Sequence, residues 1–144
     1  MGLASRDEAS AVFMGLSAIG RNEVALLETL PFNDRGTRRI CMHSDESAEL
    51  HVMLVEARSN SCFPVHMHND SAEVMVSVSG SMEVHIWNSG LDAQPVKENL
   101  SQDGSAIVLI PKQTFHTTSP GPDGCIYMEV KRGPFDKSAL IFRE

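Results

Sequence analysis

Three features are missing from this 144-residue sequence, and each absence removes a class of protein. No apolar run approaches the ~20 residues that a membrane-spanning helix needs, so no membrane partner is expected. Basic charge is in short supply, twelve Lys plus Arg against nineteen Asp plus Glu, for a net charge of −7. A chain this acidic repels phosphate backbones unless its bases cluster. The one local cluster, Arg35, Arg38 and Arg39, is too short to reverse that but is large enough to hold a small anion. Nucleic acid is therefore not an expected partner. No CxxC pair occurs: Cys41, Cys62 and Cys125 are widely spaced, which excludes a zinc ribbon and a thioredoxin-type redox site. They read as reduced thiols acting as small hydrophobes. The opening MGLASRDEAS carries acid where a secretory leader would carry base and an apolar stretch, so a cytoplasmic protein is expected.

What is present reads as strands. The hydrophobic share is 42% and the charged share 22%, ordinary for a folded domain. The length suits one domain over residues 1–144, because halves would have thin cores. Segments 51–57, 73–78, 82–87, 105–110 and 125–131 are short, rich in Val, Ile and Met, and bounded by Gly, Pro, Asn, Asp or Ser. Ser79-Gly80-Ser81 reads as a tight turn that makes 73–87 a hairpin, and Pro120-Gly121-Pro122-Asp123-Gly124 as another break. A helix fits only the first thirty residues, with Asn22 as its cap, Val24, Leu27 and Leu30 on one face and Pro31 as its stop. Residues 10–18 fit a strand ahead of it. The class is mainly β, a sandwich or barrel with a core over about 36–135 and a strand-helix extension over about 10–31.

The chemistry concentrates in two stretches. In NSCFPVHMHNDSAEV, His66 and His68 are two apart, so on a strand both imidazoles face the same way. Glu73 opens the next strand after the turn Asn69-Asp70-Ser71 and reaches the same point if the strands are neighbours. In GSAIVLIPKQTFH a strand ends at Pro111 and His116 starts the next segment. Three imidazoles and one carboxylate from separate strands form a site for one divalent transition ion, with Zn, Fe, Mn or Ni all suited. One or two open positions would let that ion polarise an oxygen or activate water.

The spacing His66-x-His68-x4-Glu73-x6-Gly80 resembles the first cupin motif, except that its leading Gly position holds Asn60, a residue that tolerates the left-handed backbone. Gly104, Pro111 and His116 resemble the second motif, with one extra residue between Gly104 and Pro111, Gln113 in place of Gly and Pro120 in place of Asn. The segment RRICMH at 38–43 and the run ending Gly133-Pro134-Phe135 resemble the WbuC-type cupin metalloproteins. The similarity covers about residues 10–137. It implies a single-domain cupin jelly-roll barrel with a short N-terminal helix and a central metal pocket. By association it implies a small-molecule ligand, a sugar or nucleotide-sugar in surface-polysaccharide metabolism.

Other residues carry two readings each. His43 is an imidazole near the pocket mouth, a candidate proton carrier, or a surface residue before Ser44-Asp45-Glu46. Arg39 binds a substrate carboxylate or phosphate with its planar fork, or pairs with Glu46 or Glu49. Cys125, Tyr127, Glu129 and Lys131 share one face of a strand, which is solvent or pocket. In a pocket, Glu129 orients a ligand imidazole or acts as acid/base, Tyr127 holds substrate or carries a proton, and Lys131 binds substrate. His85 reads as an outer-face residue and His51 is given no role. The functional readings are a metal-dependent isomerase, epimerase or dioxygenase, or a non-catalytic binding module. A homodimer is expected, since a twin chain commonly covers exposed sheet edges.

Overall fold

The computed structural model describes residues 10–61 and 63–143, so residues 1–9, Cys62 and Glu144 lie outside the described residues. The chain is mainly β, as its short Val- and Ile-rich segments predict. In chain order the strands are β1 (Ala11–Phe13), β2 (Thr37–Cys41), β3 (Leu50–Ala57), β4 (His66–His68), β5 (Glu73–Trp87), β6 (Val96–Ser101), β7 (Ile107–Ile110), β8 (Phe115–Arg132) and β9 (Leu140–Phe142). A helix, α1 (Arg21–Thr29), lies between β1 and β2.

The sheet curls because two long strands belong to both of its halves. β5 and β8 run antiparallel along nearly their whole lengths, from Glu73↔Lys131 to Trp87↔Phe115. Their Glu73–Ser77 and Tyr127–Lys131 ends are flanked by β7 and by β3 with β2 and β1 beyond. Their other ends are flanked by β6 and by β4 with β9 beyond.

This corrects the hairpin expected over 73–87, which is a single bent strand. Register shifts between Ser77 and Ser79 and between Gly80 and Met82 mark the bend. Gly80 has φ +71°, and a Cβ there would lie 2.2 Å from the Gly124 carbonyl oxygen. The Ser-Gly-Ser signal is thus a bend that keeps its pairing. The expected break at 120–124 also lies inside a strand. Prolines are tolerated there because β3 and β4 pair with other parts of β8, leaving one side of this stretch without a ladder among the described residues.

α1 begins one residue before the predicted cap. Gly20 is the cap, and its N–H donates to Glu23 Oε2 at 2.7 Å. Asn22 lies within the helix. Leu27 is fully buried against Ile40 and Leu54, with Val24 and Leu30 beside them. The inner face holds the main core, including Met53, Met75, Met82, Val84, Leu100, Val108 and Ile110. The methionines in it fill space as expected.

Candidate metal centre

Strand alternation brings four donors together. His66 and His68 occupy alternate positions of β4, and His66 pairs directly with His116 at the start of β8. Glu73 opens β5 and is buried. One candidate ring nitrogen from each of the three histidines lies within 4.8 Å of those of the other two. Glu73 Oε2 lies 3.1 Å from His68 Nε2 and 3.3 Å from His116 Nε2.

Backbone carbonyls set two of the rings. His66 Nδ1 lies 2.8 Å from the Pro64 carbonyl oxygen, and His116 Nδ1 lies 2.9 Å from that of Thr114. A carbonyl only accepts, so each Nδ1 carries the proton and each Nε2 presents a lone pair. Burial, reinforced by the charge of His116, pushes His66 down to about 4. His66 is therefore neutral at pH 7, the form that binds metal.

Glu73 Oε2 and His116 Nε2 are buried, close together, and without a properly angled hydrogen-bond partner. Unsatisfied buried groups cost about 1–3 kcal/mol each. Three ring nitrogens and one carboxylate oxygen are a donor set that suits a first-row divalent cation. The residues present fit such an ion, and they are the four named from the sequence.

Glu129 faces Glu73. Removal from water and the negative charge of Glu73 push the Glu129 carboxyl well up. Burial raises Glu73 too, but the hydrogen bond from Glu129 and the close approach of His116 and His68 outweigh it and hold Glu73 well below the usual carboxylate range. The pair is thus an acid donating to a carboxylate, and Glu129 sits against the acidic donor rather than against an imidazole.

A cavity of about 370 Å³ opens beside the four donors, and Arg39, Tyr127, Glu129 and Lys131 all line it. The strand face read as solvent or pocket is pocket. Burial, then the charges of Glu129 and Glu73, push the Tyr127 phenol well above 10, so it stays a neutral donor. Arg39 makes no ion pair with Glu46 or Glu49, since its guanidinium turns toward the cavity.

His43 is a correction. It does not line the cavity. Its ring stacks on His51 with centroids 4.0 Å apart, and its Nδ1 accepts from the Val52 N–H at 3.2 Å. His51, given no role, is buried on the inner side of β3. Its alternation with Met53 and Val55 is the signal that marks it as inward. His85 faces away from the cavity and contacts Glu83.

The basic cluster divides by alternation. Arg35 and Arg39 line the cavity. Arg38 points the other way, donating to Glu56 Oε1 at 2.6 Å and to the carbonyls of Glu28 and Leu30.

The departures from the cupin motifs have structural answers. Gln113, where the second motif has Gly, takes φ +59°. Its N–H donates to the His68 carbonyl oxygen at 2.8 Å and its side-chain amide to Asn69 Oδ1 at 3.1 Å. These bonds hold the bend before His116 in a conformation that usually calls for glycine. Asn60 does not need the left-handed backbone, because Gln113 is the only non-glycine with positive φ among the described residues.

Comparison with solved structures bears on this architecture. KdgF from Halomonas sp. superposes with a TM-score of 0.55 at 17% identity, over 72% of this chain and 83% of that one. The capsular polysaccharide assembling protein CapF from Staphylococcus aureus gives 0.63 at 18% identity, over 78% of this chain and 30% of that one. Oxalate decarboxylase from Bacillus subtilis gives 0.61 at 16% identity, over 77% and 29%. The fold is cupin-like. At these identities the likeness is one of fold, and the cupin-like chain spans only about a third of the lengths of CapF and the decarboxylase. Residues 26–94, just under half of the chain, match the family described as "Domain of unknown function (DUF6016)". No curated protein matches. No helix is long and apolar enough to cross a membrane among the described residues.

Proposed function

We propose that this chain is a single-domain, metal-dependent cupin, a jelly-roll barrel of the WbuC-like type, acting on a small polar metabolite of about sugar size. The observation that carries the reading is the convergence of His66, His68, Glu73 and His116 on the wall of a 370 Å³ cavity, with two of the four donor atoms buried and unpartnered. The segments RRICMH and Gly133-Pro134-Phe135 support the WbuC-like assignment. The fold shared with a capsular polysaccharide assembling protein supports a sugar ligand.

The four donors would hold one divalent transition ion, Zn, Fe, Mn or Ni. When bound, such an ion supplies Lewis acidity toward a substrate oxygen. The chain's own residues do the rest. Glu129 keeps its proton on Glu73 and fixes the direction of that carboxylate, a positioning role. Tyr127, neutral and inside the cavity, donates a hydrogen bond to substrate and is the candidate proton carrier on this wall. Phe63 and Phe135 line the same cavity and give it an apolar flank.

We propose further that the protein works in the cytoplasm as a homodimer. The outer faces of β7, β5 and β8 carry Ile107 and Leu109, 63% and 60% exposed, beside Val74, Val76, Met128 and Val130. These rows contain no charge, so two chains of net charge −7 can meet there without direct repulsion. They lie on the side of the sheet opposite the cavity and leave it open.

Elemental analysis of protein purified without a metal-affinity tag tests the centre. Close to one ion per chain is expected, falling below ~0.3 in His116→Ala. Wild-type protein with less than ~0.3 ion per chain, indistinguishable from His116→Ala, overturns the reading. Turnover of a sugar or keto-acid panel, lost in Glu129→Gln with the metal retained, assigns Glu129 to the reaction. Ligand-induced thermal stabilisation without turnover makes the chain a binder.

A further inference from the structure

Three cations line the cavity of this acidic chain, and among the described residues none is ion-paired: Arg35, Arg39 and Lys131. Nearby acids are engaged elsewhere. Glu73 and Glu129 hold each other, and Asp34 at the rim has contacts of its own.

Arg39 is the most telling of the three. Its neighbour Arg38 shows how this chain normally satisfies a guanidinium, with one carboxylate and two carbonyls. Arg39 has five N–H donors, and its side-chain contact among the described residues is Nη1 to Met53 Sδ at 4.0 Å. A thioether is a weak acceptor. Its Nε is buried and has no hydrogen-bond partner. The planar fork of a guanidinium matches the two oxygens of a carboxylate or phosphate, and few other partners satisfy it as well.

The other two cations are held at the same cavity. The Arg35 guanidinium lies 4.6 Å from the Phe63 ring centroid and 5.6 Å from that of Phe142, so rings hold it and no described acid neutralises it. Lys131 lies 5.6 Å from the Phe135 ring centroid and pairs across the strands with Glu73. The cavity, at about 370 Å³, is near the small end of ligand pockets, which run from about 300 to 1,000 Å³.

We infer that the ligand is a small oxyanion, a sugar-sized acid bearing a carboxylate or phosphate that docks on Arg39 with Lys131 and Arg35 beside it. This rests on the proposed function only in assigning the remainder of the ligand to the four-donor centre; the anion contact stands on Arg39 itself.

Calorimetric titration of tag-free protein with glucose, glucuronate and glucose 6-phosphate tests it, alongside glycerol, glycerate and glycerol 3-phosphate. At least one acid should bind about tenfold or more tighter than its neutral parent, and comparison of the acids separates carboxylate from phosphate. Arg39→Gln should lose about tenfold or more in that affinity with its metal content unchanged, and Arg39→Lys, which keeps the charge without the fork, should lose less. Raising salt from about 0.05 to 0.5 M should weaken the acid and leave the neutral parent alone, which needs no variant. Equal binding of acid and parent, no binding by any acid, or an Arg39→Gln protein that binds acids as wild type does overturns the inference. Protein that holds no metal as purified and still binds an acid through Arg39 upholds it while the metal reading fails. Metal-loaded protein indifferent to the acids does the reverse.

Discussion

Acid destabilises the metal-free protein through His66. In an unfolded chain this imidazole titrates at its ordinary 6.5, whereas in the fold burial and the charge of His116 bring it to about 4. Between these values the unfolded chain holds the extra proton and the folded one does not. Stability therefore falls as pH drops from 6.5 to 4, and changes no further through this group below 4 or above 6.5. One proton is worth up to about 1.4 kcal/mol per pH unit, so the interval amounts to about 3 kcal/mol. That is a large part of the 5–15 kcal/mol that holds an ordinary domain together. Urea denaturation in the presence of a chelator, at several values from pH 7 to 4, measures it in wild type and in His66→Gln. The two stability curves should converge toward acid by about 3 kcal/mol, since the amide does not titrate. Parallel curves would refute the argument, for then His66 would not be the neutral, water-excluded ring that the cage requires.

Three more outcomes are expected. Gly80→Ala should cost at least ~2 kcal/mol, because it places a side chain at φ +71° and against the Gly124 carbonyl oxygen; a loss below ~0.5 kcal/mol by denaturation would contradict the bent-strand geometry. Burial pushes the thiols of Cys41 and Cys125 up to about 11, so at pH 8 a thiol reagent mapped by mass spectrometry should label both slowly in native protein and rapidly in urea. Rapid native labelling would contradict their burial. Sedimentation should find a dimer in wild type and a monomer in the double variant Ile107→Asp, Leu109→Asp, and a wild-type monomer at micromolar concentration would exclude the proposed interface.

Much of the site is legible in the sequence because strand geometry has period two. His66 and His68 must share a face, and so must Tyr127, Glu129 and Lys131. The same rule separates Arg38 from Arg39. What is not legible is how signals of equal strength resolve in three dimensions. Ser79-Gly80-Ser81 looks like any hairpin turn, yet β8 runs beside both halves of β5 and turns it into a bend. Pro120 and Pro122 look like breakers, and β8 continues through them because no third strand lies beside them among the described residues. His43 looks like a pocket residue, but it lies against His51, whose place depends on packing beyond β3. The encounter between Glu129 and Glu73 depends on cross-strand register, which no local pattern specifies.

β9 gives the cage an unusual dependence on distant parts of the chain. Met67, between the two imidazoles of β4, shares its ladder with Ile141, and His68 with Leu140. Pairings of such long separation carry a loop-closure cost and are slow to form. A chain in the act of folding therefore carries its donors on loose tethers, where intrinsic affinity decides which cation lingers. His66 and His116 take their ring directions from carbonyls two residues away, but only after β9 has joined β4 are the donors held at fixed separations, so discrimination among ions by shape belongs to the finished fold.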